Sequence, residues 1–263
     1  MQKTARTFLD DVLWAQYCLF LFIRIQDDIL DRQAISPALI FGSDQFLFEA
    51  ERVFLKYFDR ASIFWDWYRM YLRKTISAIL EVDWYQQSPR TSPKWLLNTY
   101  ARVDSIFKIG PMAVCSHYNQ MSDFPYVDKF ADETAMAGQI LDDLADLVED
   151  LERQRYNYAA NAILRKNKMR RGSKQSLIDQ IVRGLLLTPI ATKLLDEIRT
   201  HLQRAFDAIR PLGLNGPEAL DRECHQEVES IHRSLHRRRV ETIFGKKLFS
   251  KRSNSATEKI RLP

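Results

Sequence analysis

TARTFLDDVLWAQYCLFLFIRIQDDILDRQ, residues 4–33, contains neither glycine nor proline and is densely apolar. It reads as one long helix buried on most sides, with Asp27-Asp28-Ile29-Leu30-Asp31 near its C-terminal end. A carboxylate is normally solvated, and burying it unpaired is costly. A DDxxD cluster set among Phe, Ile and Leu therefore implies a cation that the carboxylates hold.

A second such cluster, Asp142-Asp143-Leu144-Ala145-Asp146, lies midway along residues 125–164, where Gly138 is the one glycine and no proline follows Pro125. Helical residues four apart project from nearly the same side. Asp27 and Asp31 point together, with Asp28 about 100° round. Asp142, Asp146 and Asp150 form a longer stripe flanked by Asp143 and Glu149. Acid-rich helix faces are usually solvated, and a single DDxxD is weak evidence. Two of them in apolar surroundings point to facing helices whose carboxylates meet at one mouth. Hard oxygen donors of this kind suit Mg²⁺, shared between carboxylates and a substrate phosphate. Two or three Mg²⁺ ions, replaceable by Mn²⁺, would neutralise the mouth and leave positive charge for a diphosphate.

The remaining chain supports an all-α fold. Its 263 residues, 46% of them hydrophobic, suffice for a sizeable core, and 8 glycines and 9 prolines leave long uninterrupted stretches. Amphipathic helices are expected over 43–59 and 61–86. Ser88–Pro93 reads as a loop, with Ser92-Pro93 as a cap and first helical residue. Helix to about Phe107, an interruption at Lys108-Ile109-Gly110-Pro111, and helix over 112–120 follow. Thr188-Pro189 and Gly216-Pro217 open helices of about 190–210 and 217–243. With no convincing alternating strand, the expectation is one bundle of eight to ten helices over 1–244.

The formal charge of +5 is localised. Residues 245–263 hold Lys246, Lys247, Lys251, Arg252, Lys259 and Arg261 against Glu258, which is the whole excess. A flexible, solvated tail is the plain reading; a peripheral contact with an anionic membrane, or a lid over a phosphate substrate, is the alternative. Arg165, Lys166, Lys168, Arg170, Arg171, Lys174 and His236-Arg237-Arg238-Arg239 read as solvated segments that could also close over diphosphate. No groove-reading motif accompanies these charges, so nucleic acid is not expected. Three distant cysteines without a CxxC fit a cytoplasmic protein with buried thiols. The apolar run Val12–Ile25 is too short to span a bilayer, and Asp10-Asp11 precede it where an export signal carries positive charge. No Walker loop, GxGxxG, GxSxG or zinc-spaced set is present.

The two clusters resemble the aspartate-rich motifs of the class I isoprenoid synthase superfamily, and within it the trans-prenyl diphosphate synthases. Ile25–Asp31 is similar to the first motif. Gln139-Ile140-Leu141 and Asp142–Asp146 are similar to the second, including its preceding Gln. Lys108-Ile109-Gly110 resembles the element whose lysine contacts diphosphate, and Glu149–Tyr156 the stretch in which a basic residue, here Arg155, does the same. The matches run in the family's order from about 20 to 160. The resemblance implies a helical bundle with a central apolar pocket, a homodimer, and metal and catalytic roles for Asp27, Asp28, Asp31, Asp142, Asp143 and Asp146. It implies substrate contacts from Lys108, Gln139 and Arg155, and places Phe22, five residues before Asp27, where the family sets a bulky stop for the chain.

Two departures bear on the reaction. The family's upstream Gly-Lys-Arg element is absent, and Arg32-Gln33 stands where an Arg-Arg pair follows the first motif. Both serve the second substrate, isopentenyl diphosphate. The expectation is therefore a terpene synthase that ionises one allylic prenyl diphosphate and cyclises or quenches the cation, which Trp14, Tyr17, Phe20, Phe22, Trp84 or Tyr85 could stabilise through cation–π attraction or merely pack beside. A prenyl diphosphate synthase is the alternative within the family. A non-catalytic prenyl-diphosphate-binding subunit and an all-α nucleotide pyrophosphohydrolase are alternatives of other classes.

Overall fold

A computed structural model describes residues 2–30, 35–87, 91–166, 173–214 and 216–244. Asp31, Arg32, the Ser88-Pro89-Arg90 part of the expected loop, the basic residues Lys168, Arg170 and Arg171, and the tail 245–263 lie outside them. The described chain is all-α. It consists of α1 (Gln2–Leu30), α2 (Leu39–Phe54), α3 (Phe64–Gln86), α4 (Pro93–Val103), a 3₁₀ turn (Asp104–Lys108), α5 (Ile109–His117), α6 (Phe124–Ala145), α7 (Leu147–Glu152), α8 (Tyr158–Lys166), α9 (Lys174–Leu187), α10 (Ile190–Ile209), a second 3₁₀ turn (Arg210–Leu212) and α11 (Pro217–Phe244). No helix among the described residues is long and apolar enough to cross a membrane.

Two hydrophobic clusters organise the bundle. One is aromatic: Phe8, Leu19, Phe54, Phe64, Tyr68 and Met112 join α1, α2, α3 and α5. Its rings meet edge-on or stacked, as in Phe58–Phe64 at 4.0 Å and Phe8–His117 at 3.9 Å. The other is largely aliphatic, with Ile140, Ile163, Ile181, Leu195 and Ile198 joining α6, α8, α9 and α10. Each fully buried aliphatic side chain contributes roughly 1.5–3 kcal/mol. α1 packs chiefly on α2, and α6 on α10. The ends of α1 and α6 that carry the aspartates face one space between these pairs, bounded by α3 and α4.

The expected interruption at Lys108–Pro111 falls earlier. Residues 104–108 tighten into the 3₁₀ turn, and α5 begins at Ile109 with Gly110-Pro111 inside its first turn. Proline is tolerated there because its missing N–H has no intrahelical partner to lose. Gly110 is held by close approach: its N–H donates to Gln16 Oε1 at 2.9 Å, and a Cβ would meet that same oxygen at 2.9 Å.

The segment 125–164, interrupted in sequence by Gly138 alone, is divided among three helices, and none of the divisions falls at that glycine. α6 ends at Ala145, and Asp146 leaves helical geometry at φ −95°, ψ 6°. After α7, Gln154 takes φ +63°. Arg155 N–H then bonds the Asp150 carbonyl at 2.7 Å and Gln154 N–H the Leu151 carbonyl at 3.0 Å, a Schellman closure with Gln where glycine is usual. Asn157 restarts the chain as the cap of α8, its Oδ1 accepting from Ala160 N–H at 2.9 Å. The three cysteines are free; Cys18 is buried, Cys115 and Cys224 partly so.

Candidate functional site

Asp27 from α1, Asp142 and Asp143 from α6 and Asp146 from its C-cap line one cavity of about 450 Å³, which α3, α4 and α7 also border. One aspartate of the first cluster and the three of the second thus border the same space. Seven carboxylates line it, against the three guanidiniums of Arg24, Arg153 and Arg155. Gln139 and Arg155 are also among the lining residues, and Arg155 Nη2 bridges to Asp83 of α3 at 3.3 Å.

The aspartates are not equivalent. Asp142 and Asp146 are open to the cavity. Crowding by protein nonetheless pushes both carboxyls above the usual range; Asp146 and Glu227 add to this for Asp142, and Glu149 does so for Asp146. Arg24 opposes the effect at Asp142. It also reaches Asp28 at 3.0 Å and Asp27 at 4.0 Å, one helical turn along α1. Asp28 is not among the lining residues.

Asp143 is 6% exposed, and its Oδ2 accepts from Tyr100 Oη at 2.7 Å and from Tyr158 N–H at 2.6 Å. Burial pushes its carboxyl up to about 8, with those two bonds opposing. It lies against the cavity yet holds α4 and α8 to α6, a structural task the sequence did not separate from its neighbours.

Lys108 and Phe22 lie elsewhere. Lys108 is 4% exposed, and its Nζ sits between Asp128 at 2.8 Å and Asp132 at 2.6 Å on α6. Asp132 is ten residues from Asp142, about 15 Å along the helix at ~1.5 Å per residue. Lys108 is therefore committed to an ion cluster down the helix from the cavity. Phe22 packs in the aromatic core. Trp14, Tyr17, Phe20, Trp84 and Tyr85 are likewise absent from the lining residues; the aromatic that is present is Tyr100.

Sequence reasoning missed Asp104 and Glu227. Asp104 heads the 3₁₀ turn beside the cavity residue Val103. Burial, and then the charge of Asp142, push its carboxyl up to about 7. It had the same signal as the aspartate clusters, an acid in an apolar run. Glu227 comes from α11, and no local pattern ties it to Asp142.

A second, apolar groove of about 220 Å³ adjoins this cavity, lined by Ile29, Ile40, Ile76 and Leu80 together with Asp27, Leu30 and Ile79, and the last three line both. Asp27 thus stands at the boundary between an acidic chamber and an apolar one.

The donor set fits Mg²⁺. Among the described residues no three His, Cys, Asp or Glu side chains form a ready-made cage. Mg²⁺ asks for less: one or two carboxylates, with water and phosphate oxygens completing its shell. Asp142 in the last turn of α6 and Asp146 at its C-cap supply that pair, and Asp27 borders the same cavity from α1. Carboxyls whose protonation is favoured by burial, and then by neighbouring acids, are also groups that gain from a cation. Compared with known proteins, the chain matches no family model, no curated protein and no solved structure.

Proposed function

We propose that the chain is a Mg²⁺-dependent enzyme that ionises an allylic prenyl diphosphate, as a terpene synthase does. The observation that carries this reading is the joining of an acidic, arginine-bearing chamber to an apolar groove at Asp27. An amphiphile with a polyanionic head and a hydrocarbon tail has that shape and polarity.

In this account Asp142 and Asp146 would hold Mg²⁺ from one side and Asp27 from the other. The bound ion supplies Lewis-acid stabilisation of the departing diphosphate. Arg24, Arg153 and Arg155 bring N–H donors to the same chamber. They now meet acids: Arg24 on Asp28 at 3.0 Å, Arg153 on Glu149 at 2.6 Å and Arg155 on Asp83 at 3.3 Å. Exchanging a carboxylate for a diphosphate oxygen keeps each guanidinium in a charge-assisted bond. The C1–O bond breaks with its electron pair leaving on diphosphate. Ile29, Ile40, Ile76, Ile79 and Leu80 offer the tail an apolar wall. Lys108, already bound by Asp128 and Asp132, is not placed to contact the diphosphate, so the three arginines take that role in this account. The preference for one-substrate chemistry rests on the two second-substrate elements that the sequence lacks.

The test is release of inorganic diphosphate from C10, C15 and C20 allylic diphosphates with Mg²⁺ and with chelator. Mg²⁺-dependent release from at least one substrate is expected. No release from any of them, with nucleotide hydrolysis in its place, would overturn the reading.

A further inference from the structure

We propose that the outer face of α3, together with the mouth of the apolar groove beside it, docks on an anionic lipid bilayer. The inference goes beyond the proposed reaction and does not rest on it, because its test needs no turnover.

The apolar half of this face is one patch built by three helices. Leu30 of α1, Ile40 of α2 and Ile76 and Leu80 of α3 line the groove, and each is at least 39% exposed. Trp84, one turn beyond Leu80, is 67% exposed. Contiguous exposed apolar side chains with a polar rim mark a surface that meets a partner or a membrane.

The other half is basic. A groove of about 410 Å³ runs along the same helix, lined by Arg69, Arg73, Lys74 and Ser77 with Arg102 of α4. Arg73, Ser77, Leu80 and Trp84 are all exposed and recur at intervals of three and four. They therefore share one stripe about 16 Å long, at ~1.5 Å per residue, along which cations pass directly into hydrocarbon. The acids of this face are already matched: Asp66 with Arg69 at 2.6 Å, Glu81 with Arg102 at 3.0 Å, and Asp27 at the apolar groove with Arg24 at 4.0 Å. Arg73 and Lys74 make no ion pair among the described residues. The face thus keeps two cations over and above its ion pairs.

Exposed hydrocarbon flanked by cations matches the boundary between acyl chains and anionic headgroups, where tryptophan is also favoured. A second copy of the chain fits less well. It would bring the same cations against this face, and lysine is depleted at protein–protein interfaces.

The experiment is flotation of the full chain with phosphatidylcholine vesicles, with and without phosphatidylserine. Quenching of tryptophan fluorescence by lipids brominated in their acyl chains is followed alongside. Binding that needs phosphatidylserine and falls with added salt is expected. Each cation near an anionic surface is worth roughly fivefold in partitioning, so Arg73→Gln with Lys74→Gln should weaken binding at least about tenfold. Trp84→Ser should weaken it roughly fivefold and remove most of the quenching. Both variants alter exposed side chains, so an unchanged melting temperature separates docking from folding. Absence of flotation would overturn the proposal, as would equal flotation by both variants. So would a loss produced only by Lys246→Gln, Lys247→Gln, Lys251→Gln and Arg252→Gln, which neutralise the tail instead. A Trp84→Ser variant that converts a dimer to a monomer in sedimentation, with vesicle binding unchanged, would assign the face to a second copy and overturn the proposal likewise.

Discussion

Asp104→Asn should stabilise the protein in the absence of divalent ions, and only above acidic pH. Asp104 accepts no hydrogen bond among the described residues and lies in the field of Asp142. Burial raises its carboxyl from 3.8 to about 7. The folded state therefore binds a proton more tightly than the unfolded chain, so stability falls as pH rises from 3.8 toward 7 and is level above that. At ~1.4 kcal/mol per tenfold change in proton affinity, the charge destabilises the fold by at most about 4 kcal/mol. Asp104 is only partly buried, and water near it reduces that figure to about 2 kcal/mol. For a chain of this size such a gain raises the melting temperature by about 4–8 °C. Thermal melts of both proteins at pH 3.5 and pH 8, with chelator present, provide the assay. The expected gap is near zero at pH 3.5 and several degrees at pH 8. An equal gap at both pH values, or a variant less stable at pH 8, would refute the reasoning that an uncompensated carboxylate sits there.

Further outcomes follow from the same geometry. Asp27→Ala or Asp142→Ala should lower turnover at least about 100-fold, since each removes charge stabilisation at the leaving group, while circular dichroism remains that of the unaltered fold. Asp143→Ala strands the Tyr100 hydroxyl and the Tyr158 N–H, each costing about 1–3 kcal/mol when buried and unpaired. Asp143→Asn retains an acceptor for both, so denaturant titration should show the alanine variant destabilised and the asparagine variant near the starting value. Lys108→Met leaves Asp128 and Asp132 without their shared cation, with an expected loss of about 3 kcal/mol. The Mg²⁺ concentration for half-maximal turnover should not move in that variant; a shift would place Lys108 in the chamber.

Much of the fold was legible because its signals are local. The glycine-free run from Thr4, as far as Leu30, and the Ser92-Pro93, Thr188-Pro189 and Gly216-Pro217 starts each correspond to helices in the structure. The break of 125–164 was hidden because Gln154 occupies a left-handed position where glycine would have announced it. Asn157, a good capping residue, was the one available clue. At the site, apolar surroundings singled out the two clusters, and both contribute to one cavity. The division of labour within the second was not legible. Helical spacing places Asp143 only about 100° from Asp142, and what decides its role is Tyr100 and the start of α8, distant in sequence. Lys108 was similarly opaque: a lysine beside a Gly-Pro break looks available until α6 places Asp128 and Asp132 on either side of it. Glu227 reaches Asp142 only through the packing of α11.

The most direct measurement is the product formed by the purified chain with Mg²⁺. C10, C15 and C20 allylic diphosphates would be supplied singly, then with isopentenyl diphosphate, and extracts resolved by gas chromatography–mass spectrometry before and after phosphatase. The account predicts a hydrocarbon or alcohol from a single allylic substrate, present without phosphatase and unchanged by isopentenyl diphosphate. A longer prenyl alcohol that appears only with isopentenyl diphosphate and only after phosphatase would contradict it, as would no product from any substrate.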